Sequence, residues 1–120
     1  MAYQDFVNGL RALGFDVREP GDNRVTFAYI VPTGRFAGRE IELGFHVPTD
    51  FPLTPPSGPH VTPHLLPVTN GGGTHPNGGV HTSPFGEKWE YWSRPLSHWT
   101  ATKRTVRDVM AHIRHLFDTQ

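Results

Sequence analysis

The clearest structural signal in the chain lies in residues 24–47, RVTFAYIVPTGRFAGREIELGFHV. Apolar side chains alternate with other residues in both halves of this stretch, at Val25, Phe27, Tyr29 and Val31 and then at Ile41, Leu43, Phe45 and Val47. Successive side chains on a strand point to opposite faces, so each half predicts a strand with one buried face. The break at 32–34, Pro-Thr-Gly, predicts an antiparallel hairpin or meander.

On either side of this stretch the apolar spacing becomes that of a helix. Near the start, Phe6, Leu10 and Leu13 fall at i, i+4 and i+7, and a glycine follows at the stop position. Near the end, a helical pattern runs from about Thr102, as its N-cap, to Phe117. The order of helix, antiparallel strands, long irregular segment and helix predicts an α+β fold, and a length of 120 residues predicts one domain, 1–120.

Composition excludes several classes of function. Lys plus Arg and Asp plus Glu each number 11, and this balance argues against nucleic acid or an anionic membrane as the main partner. The chain has no cysteine, which excludes disulfides, thiolate zinc sites and cysteine nucleophiles. No apolar run approaches the roughly 20 residues of a membrane span, and the charged N-terminus is unlike a signal peptide. We expect a cytoplasmic protein.

One long segment of the chain contains no acidic residue, lysine or arginine. Residues 51–86 contain no Lys, Arg, Asp or Glu, and they are dense in proline and glycine. The groups in this segment that titrate near neutral pH are four histidines: His60, His64, His75 and His81. Long ordered loops in small domains are usually functional, so this segment is predicted to carry the site.

Three local motifs follow one another along the chain: residues 47–56, VPTDFPLTPP, then His75-Pro76-Asn77, then Tyr91-Trp92-Ser93-Arg94-Pro95. In this order they resemble motifs of the ubiquitin-conjugating (E2) superfamily. The resemblance runs from about residue 6 to residue 117 and is nearest to the bacterial proteins called prokaryotic E2 family E. It implies a minimal UBC-like fold, with an N-terminal helix, an antiparallel meander sheet, a long Pro/Gly-rich active-site loop and a C-terminal helix.

The chain departs from the family at the reactive residue. E2 enzymes carry a thioester-forming cysteine a few residues after the HPN motif, whereas this chain has Gly78 to Phe85 there, without cysteine. Only the position carries over, and Ser83 is the best-placed hydroxyl. The resemblance implies a protein that accepts an activated ubiquitin-like C-terminus from an E1-like adenylating enzyme, as a serine oxyester rather than a cysteine thioester. In such systems the partners are the E1-like enzyme, the ubiquitin-like protein and an associated peptidase, and no cofactor is implied.

A serine in this role requires a general base, because its hydroxyl ionises far less readily than a thiol. His81 and His75 are the natural general bases, and the Asn77 amide can donate to the tetrahedral oxyanion. Structural roles stay open beside these catalytic ones. Ser83-Pro84 is also a turn signature, Asn77 can hold loop backbone, and His75 can bond a backbone carbonyl.

Other functions remain as alternatives. A cysteine-less E2 variant binds a ubiquitin-like protein or an E1-like partner as a scaffold, without catalysis. A metal site would draw on the four histidines of the charge-free segment, although Pro63 breaks the helix that would align the first two. A Ser-His-Asp hydrolase lacks its G-x-S-x-G element here. The resemblance places an E1-like contact at residues 5–11, and Lys103, Arg104 and Arg107 form a basic cluster that could dock a partner.

Overall fold

Residues 24–47 form two adjacent seven-residue strands, as their alternation predicts. The computed structural model describes residues 2–65, 80–92, 96 and 99–119. The described residues form helices α1 (Ala2–Ala12) and α2 (Val106–Thr119), a 3-10 turn (Trp99–Ala101) and six strands: β1 (Val17–Gly21), β2 (Arg24–Ile30), β3 (Glu40–His46), β4 (His60–Thr62), β5 (Val80–Thr82) and β6 (Glu90–Trp92). The strands make one antiparallel sheet in the order β1-β2-β3-β4-β6-β5. The predicted α+β class is confirmed.

One face of the sheet carries the core. The alternating apolar side chains of β2 and β3 are buried together with apolar side chains of both helices. Phe6 of α1 meets Phe45 edge-on at 5.7 Å between ring centroids, and Phe117 of α2 stacks on Tyr29 at 5.9 Å. Both helices therefore pack on this inner face, where burial of large apolar side chains is the main stabilising contribution.

The outer face of the sheet carries a row of residues that are paired across the strands. The row consists of Thr26, Gly44, His60, Tyr91 and His81, each paired with the next in the antiparallel register. Directly opposite residues on antiparallel strands project to the same face. The row therefore brings two histidines of the charge-free segment to one side of the sheet, away from the helices.

The predicted N-cap of the second helix is wrong by three residues. The Thr102 hydroxyl donates to the Trp99 carbonyl at 2.7 Å and closes the 3-10 turn, so it does not cap α2. Thr105 is the N-cap, because its hydroxyl accepts from the Asp108 N–H and the Asp108 carboxylate accepts from the Thr105 N–H at 2.9 Å. This reciprocal pair is a capping box, which needs an acceptor three residues after the cap.

The charge-free segment is more regular than a single irregular loop, since it contributes β4 and β5. Its first part packs on the core. The Phe51 ring is buried, and its centroid lies 5.1 Å from that of Phe6. The Trp99 indole N–H donates to the Pro52 carbonyl at 2.8 Å. Residues 66–79, including the HPN motif, and residues 93–95 lie outside the described residues. Within the described residues, no helix is long and apolar enough to cross a membrane.

Candidate functional site

Ser83 directly follows β5 and opens the turn that leads to β6. Its half-buried Oγ lies 2.7 Å from Nδ1 of His60 and accepts the Phe85 N–H at 3.0 Å. The Gly86 N–H also donates to the Ser83 carbonyl at 3.3 Å, which closes the turn. The hydroxyl is therefore held from two sides, by a backbone amide of its own turn and by an imidazole from β4.

His60 lies in the middle of the outer row and is 5% exposed. Its ring stacks on Phe85 at 4.2 Å and lies 4.8 Å from the Tyr91 ring. Burial lowers the pKa of His60 from 6.5 to about 4, and the positive charge of Arg24 and the nearby His46 lower it further in the same direction. The imidazole is therefore neutral at pH 7, so one ring nitrogen carries a proton and the other has a free lone pair.

A glycine makes room for this arrangement. A Cβ at Gly44 would lie 2.6 Å from Cε2 of Phe85 and 3.2 Å from Cζ3 of Trp89. Because β3 has no side chain there, the turn at 83–89 can fold flat against the outer face and place the Phe85 ring on His60. A glycine inside a strand often marks such a close approach.

Arg24 of β2 contacts the turn that carries Ser83. Its guanidinium carbon lies 5.1 Å from the centre of the Phe85 ring, and its Nη1 donates to the Pro84 carbonyl at 3.4 Å. A guanidinium over an aromatic face is attracted by the ring quadrupole. Arg24 therefore holds the turn that carries Ser83 and also disfavours the protonated form of His60.

Side chains from the end of β4 anchor the far side of the turn. The Thr62 hydroxyl donates to the Lys88 carbonyl at 2.8 Å, and Nε2 of His64 lies 2.9 Å from the Trp89 carbonyl. A carbonyl only accepts, so Nε2 of His64 carries the proton in this contact. A cavity of about 290 Å³ opens here, lined by His64, Thr82, Ser83, Gly86, Glu87 and Trp89.

The proton positions decide what the Ser83–His60 pair can do. The Phe85 N–H occupies one lone pair of Oγ, and the hydroxyl donates its proton to Nδ1 of His60 in the tautomer in which Nδ1 carries no proton. In that tautomer the serine and the neutral imidazole are arranged as a nucleophile with its base. The same Oγ contact with the Phe85 N–H is also a local turn bond that shapes the loop, and a pKa near 4 makes His60 a weak base.

The structure describes two of the four predicted site residues. Ser83 meets an imidazole, and that imidazole belongs to His60, whereas the expected bases were His81 and His75. His81 lies on β5, two strands from His60, with its ring 6.2 Å from that of Tyr91. His75 and Asn77 lie outside the described residues. The catalytic roles expected for Ser83, His81, His75 and Asn77 therefore stay predictions.

Sequence reasoning considered His60 only as a metal ligand and missed it as the partner of Ser83. The two residues are 23 positions apart, and they meet because β4 pairs with β6 and the turn before β6 folds back. A strand pattern at 60–62 was the available signal, but three residues are too few for alternation to be recognised. In the described part of the chain, no group of three or more histidines and carboxylates is arranged to hold a metal ion.

A second residue that sequence reasoning missed is Glu90, which is fully buried on β6. Its Oε1 accepts the Leu65 N–H at 2.8 Å and the Trp92 indole N–H at 2.9 Å. These two hydrogen bonds to Oε1 offset part of the cost of burying the carboxylate. Glu90 therefore ties the chain after β4 to β6, on the face of the sheet opposite His60.

Comparisons with protein-family models, with curated proteins and with solved structures found no match for this chain.

Proposed function

We propose that the chain is an E2-like protein of a bacterial ubiquitin-like conjugation pathway, in which Ser83 accepts an activated ubiquitin-like C-terminus from an E1-like enzyme as an oxyester. The observation that carries the proposal is the 2.7 Å contact between Ser83 Oγ and His60 Nδ1. A helix followed by a four-strand antiparallel meander, with a second helix at the end, agrees with the order expected of a minimal UBC-like fold.

The proposed step is an acyl transfer. Oγ of Ser83 attacks the carbonyl carbon of the activated C-terminus, and a C–O bond forms while the bond from that carbon to the activating group breaks. The hydroxyl proton passes to Nδ1 of His60 and then to the departing group. The cavity of about 290 Å³ beside Ser83 offers space for the end of an extended tail. His60 replaces His81 and His75 as the base in this proposal.

The low pKa of His60 limits its strength as the proposed base. A general base works best when its pKa lies near the working pH, and the pKa of His60 is about 4. An oxyanion developing next to His60 would favour its protonated form, since an opposite charge nearby raises the pKa of an imidazole. We therefore expect slow acyl transfer that falls further as the pH is lowered toward 4.

The second candidate is a non-catalytic E2 variant that binds a ubiquitin-like protein or an E1-like partner. The hydrogen bond from the Phe85 N–H to Ser83 Oγ favours it, because that bond gives Ser83 a sufficient structural role in the turn. In this case the shape of residues 83–89 matters for binding and the nucleophilicity of Ser83 does not.

One experiment separates the two candidates. The protein is incubated with its cognate E1-like enzyme, ubiquitin-like protein and ATP, and adducts are resolved with and without thiol or hydroxylamine. The acyl-transfer proposal expects an adduct that resists thiol, is cleaved by hydroxylamine and is lost in Ser83→Ala. The matched control Ser57→Ala, which alters an exposed serine elsewhere in the charge-free segment, keeps the adduct.

Ser83→Cys makes the test sharper. The natural chain has no cysteine, so an adduct of this variant that becomes sensitive to thiol must be a thioester at position 83. An adduct that survives Ser83→Ala contradicts the acyl-transfer proposal. Absence of any adduct, with measurable binding of the partner by the wild-type chain, identifies the binding protein instead.

A further inference from the structure

Two adjoining cavities form a groove along the seam between α1 and α2. One has a volume of about 480 Å³ and reaches Phe51 and Pro52, and the other has a volume of about 580 Å³ and reaches Phe15 and Tyr29. Leu13 and Arg107 line both cavities, so the two lie side by side along the helices. We name this surface the α1–α2 groove. It lies on the helix side of the sheet, away from Ser83.

The floor of the groove is apolar. Ala12 and Leu13 contribute from the end of α1, and Met110 and Ala111 contribute from α2. The helices touch at Gly9, where a Cβ would lie 2.5 Å from Cγ2 of Val106. This close contact fixes how closely the two helices pack. Beside it Ala12 and Ala111 are exposed and Leu13 is partly exposed, whereas Met110 is buried.

The α2 side of the groove carries three arginines: Arg104, Arg107 and Arg114. None of the three forms an ion pair with any carboxylate of the described residues, whereas Arg11 pairs with Glu19 at 3.3 Å and Arg18 with Glu42 at 3.8 Å. Arg107 and Arg114 lie seven positions apart on one helix, which puts them on the same side, two turns apart. The groove thus presents three arginines beside an apolar floor, with a single carboxylate, Asp5, among its lining residues.

We propose that the α1–α2 groove binds an acidic amphipathic helix of a partner protein. Such a helix would place an apolar stripe on the floor and Asp or Glu side chains against the three arginines, whose planar guanidiniums bind carboxylates in a bidentate manner. From Arg107 to Arg114 the groove follows seven residues of α2, a rise of roughly 10 Å or about two turns of a helix, and Arg104 lies just before α2 at one end of it. This proposal does not depend on the chemistry of Ser83.

An acidic peptide fits this surface better than a membrane does. A lipid surface requires apolar side chains that protrude from a basic face, whereas the apolar side chains here lie on the floor between two helices.

Fluorescence anisotropy with synthetic peptides tests the proposal on the full chain. The probe is a 14-residue peptide with leucines at i, i+3, i+4 and i+7 and glutamates elsewhere. The comparison peptides are its lysine counterpart and a shuffled peptide of the same composition without the stripe. We expect the acidic amphipathic peptide to bind at least tenfold more tightly than either comparison peptide, and its affinity to fall with added salt.

Matched variants identify the site. The double charge reversal Arg107→Glu/Arg114→Glu should lower the affinity for the acidic peptide at least tenfold, and Ala12→Trp, which fills the floor at an exposed helix position, should lower it as well. The control Arg18→Glu/Lys88→Glu makes the same charge change outside the groove and should leave binding within twofold. Thermal unfolding of each variant establishes that it is folded.

Two outcomes overturn the proposal. One is equal binding of the three peptides, or equal losses in the groove and control variants. The other is binding to phosphatidylglycerol vesicles that depends on Arg107 and Arg114 while the acidic peptide fails to bind, which would assign the groove to a lipid surface.

Discussion

Lowering the pH from 7 to 4 should destabilise the fold through His60, because the structure buries this ring in its neutral form. Burial, with added effects of Arg24 and His46, lowers the pKa of His60 from 6.5 to about 4. In the unfolded chain the ring returns to its ordinary pKa near 6.5. Between these pH values the unfolded state therefore binds a proton that the folded state does not, so stability falls as the pH falls.

The size of the effect follows from the difference between the two pKa values, which is about 2.5. Each unit is worth about 1.4 kcal/mol, so His60 alone should remove about 3 kcal/mol from the free energy of unfolding. The contribution is complete above pH 6.5 and is lost as the pH falls to about 4. A small domain has a total stability of about 5–15 kcal/mol, so a loss of this size is readily measured.

Urea unfolding at pH 7, 6, 5 and 4, followed by tryptophan fluorescence, measures this loss. The comparison variant is His60→Phe, whose ring can still stack on Phe85 but cannot titrate. Wild type should lose about 3 kcal/mol more than the variant between pH 7 and pH 4. His46→Gln, at an exposed position on the same face, should retain most of the wild-type pH dependence.

Parallel pH profiles for wild type and His60→Phe would refute the reasoning, whatever their absolute stabilities at pH 7. A direct titration of the His60 ring by NMR gives a second check. A midpoint at or above 6.5 would show that the ring is not held in its neutral form by burial.

Two further predictions concern local backbone and capping. Gly34 and Gly38 both have positive φ, at 80° and 85°, but a Cβ at Gly34 would lie 1.7 Å from the Phe117 carbonyl oxygen while one at Gly38 meets nothing within 4 Å. Gly38→Ala should lower the free energy of unfolding by about 1–2 kcal/mol through backbone strain. Gly34→Ala should lower it clearly more, because the backbone must also move away from the Phe117 carbonyl. Equal losses of stability in urea unfolding would contradict the close contact at Gly34. Thr105→Ala should lower the free energy of unfolding by about 1 kcal/mol, because it removes the N-cap hydroxyl that bonds to Asp108. Thr105→Ser keeps a hydroxyl and should retain most of that stability. A serine variant as unstable as the alanine variant would argue against the capping box.

The strands at 24–30 and 40–46 and the two helices were predictable because their signals are local. An alternation of period two or a spacing of 3.6 residues reports which side of an element is buried, whatever it packs against. Phe6 and Phe117 could thus be assigned to the core without knowing that they meet Phe45 and Tyr29. The start of α2 was harder to predict, because Thr102 and Thr105 are both suitable caps and only the hydrogen bonds to Trp99 and Asp108 distinguish them.

The partner of Ser83 could not be read from local patterns. The charge-free segment and its histidines follow from composition alone. The choice of Ser83 as the reactive hydroxyl follows from a motif resemblance and stays a prediction. The choice of His60 over His81 depends on the pairing of β4 with β6 and on a turn that folds back over Gly44. The strand pairing and the turn both bring together residues that are far apart in the chain. The same holds for the stacking of Phe85 on His60, which contributes to the burial that lowers the pKa of His60. Burial is a property of the assembled sheet, and no segment of the chain carries it before the strands have paired.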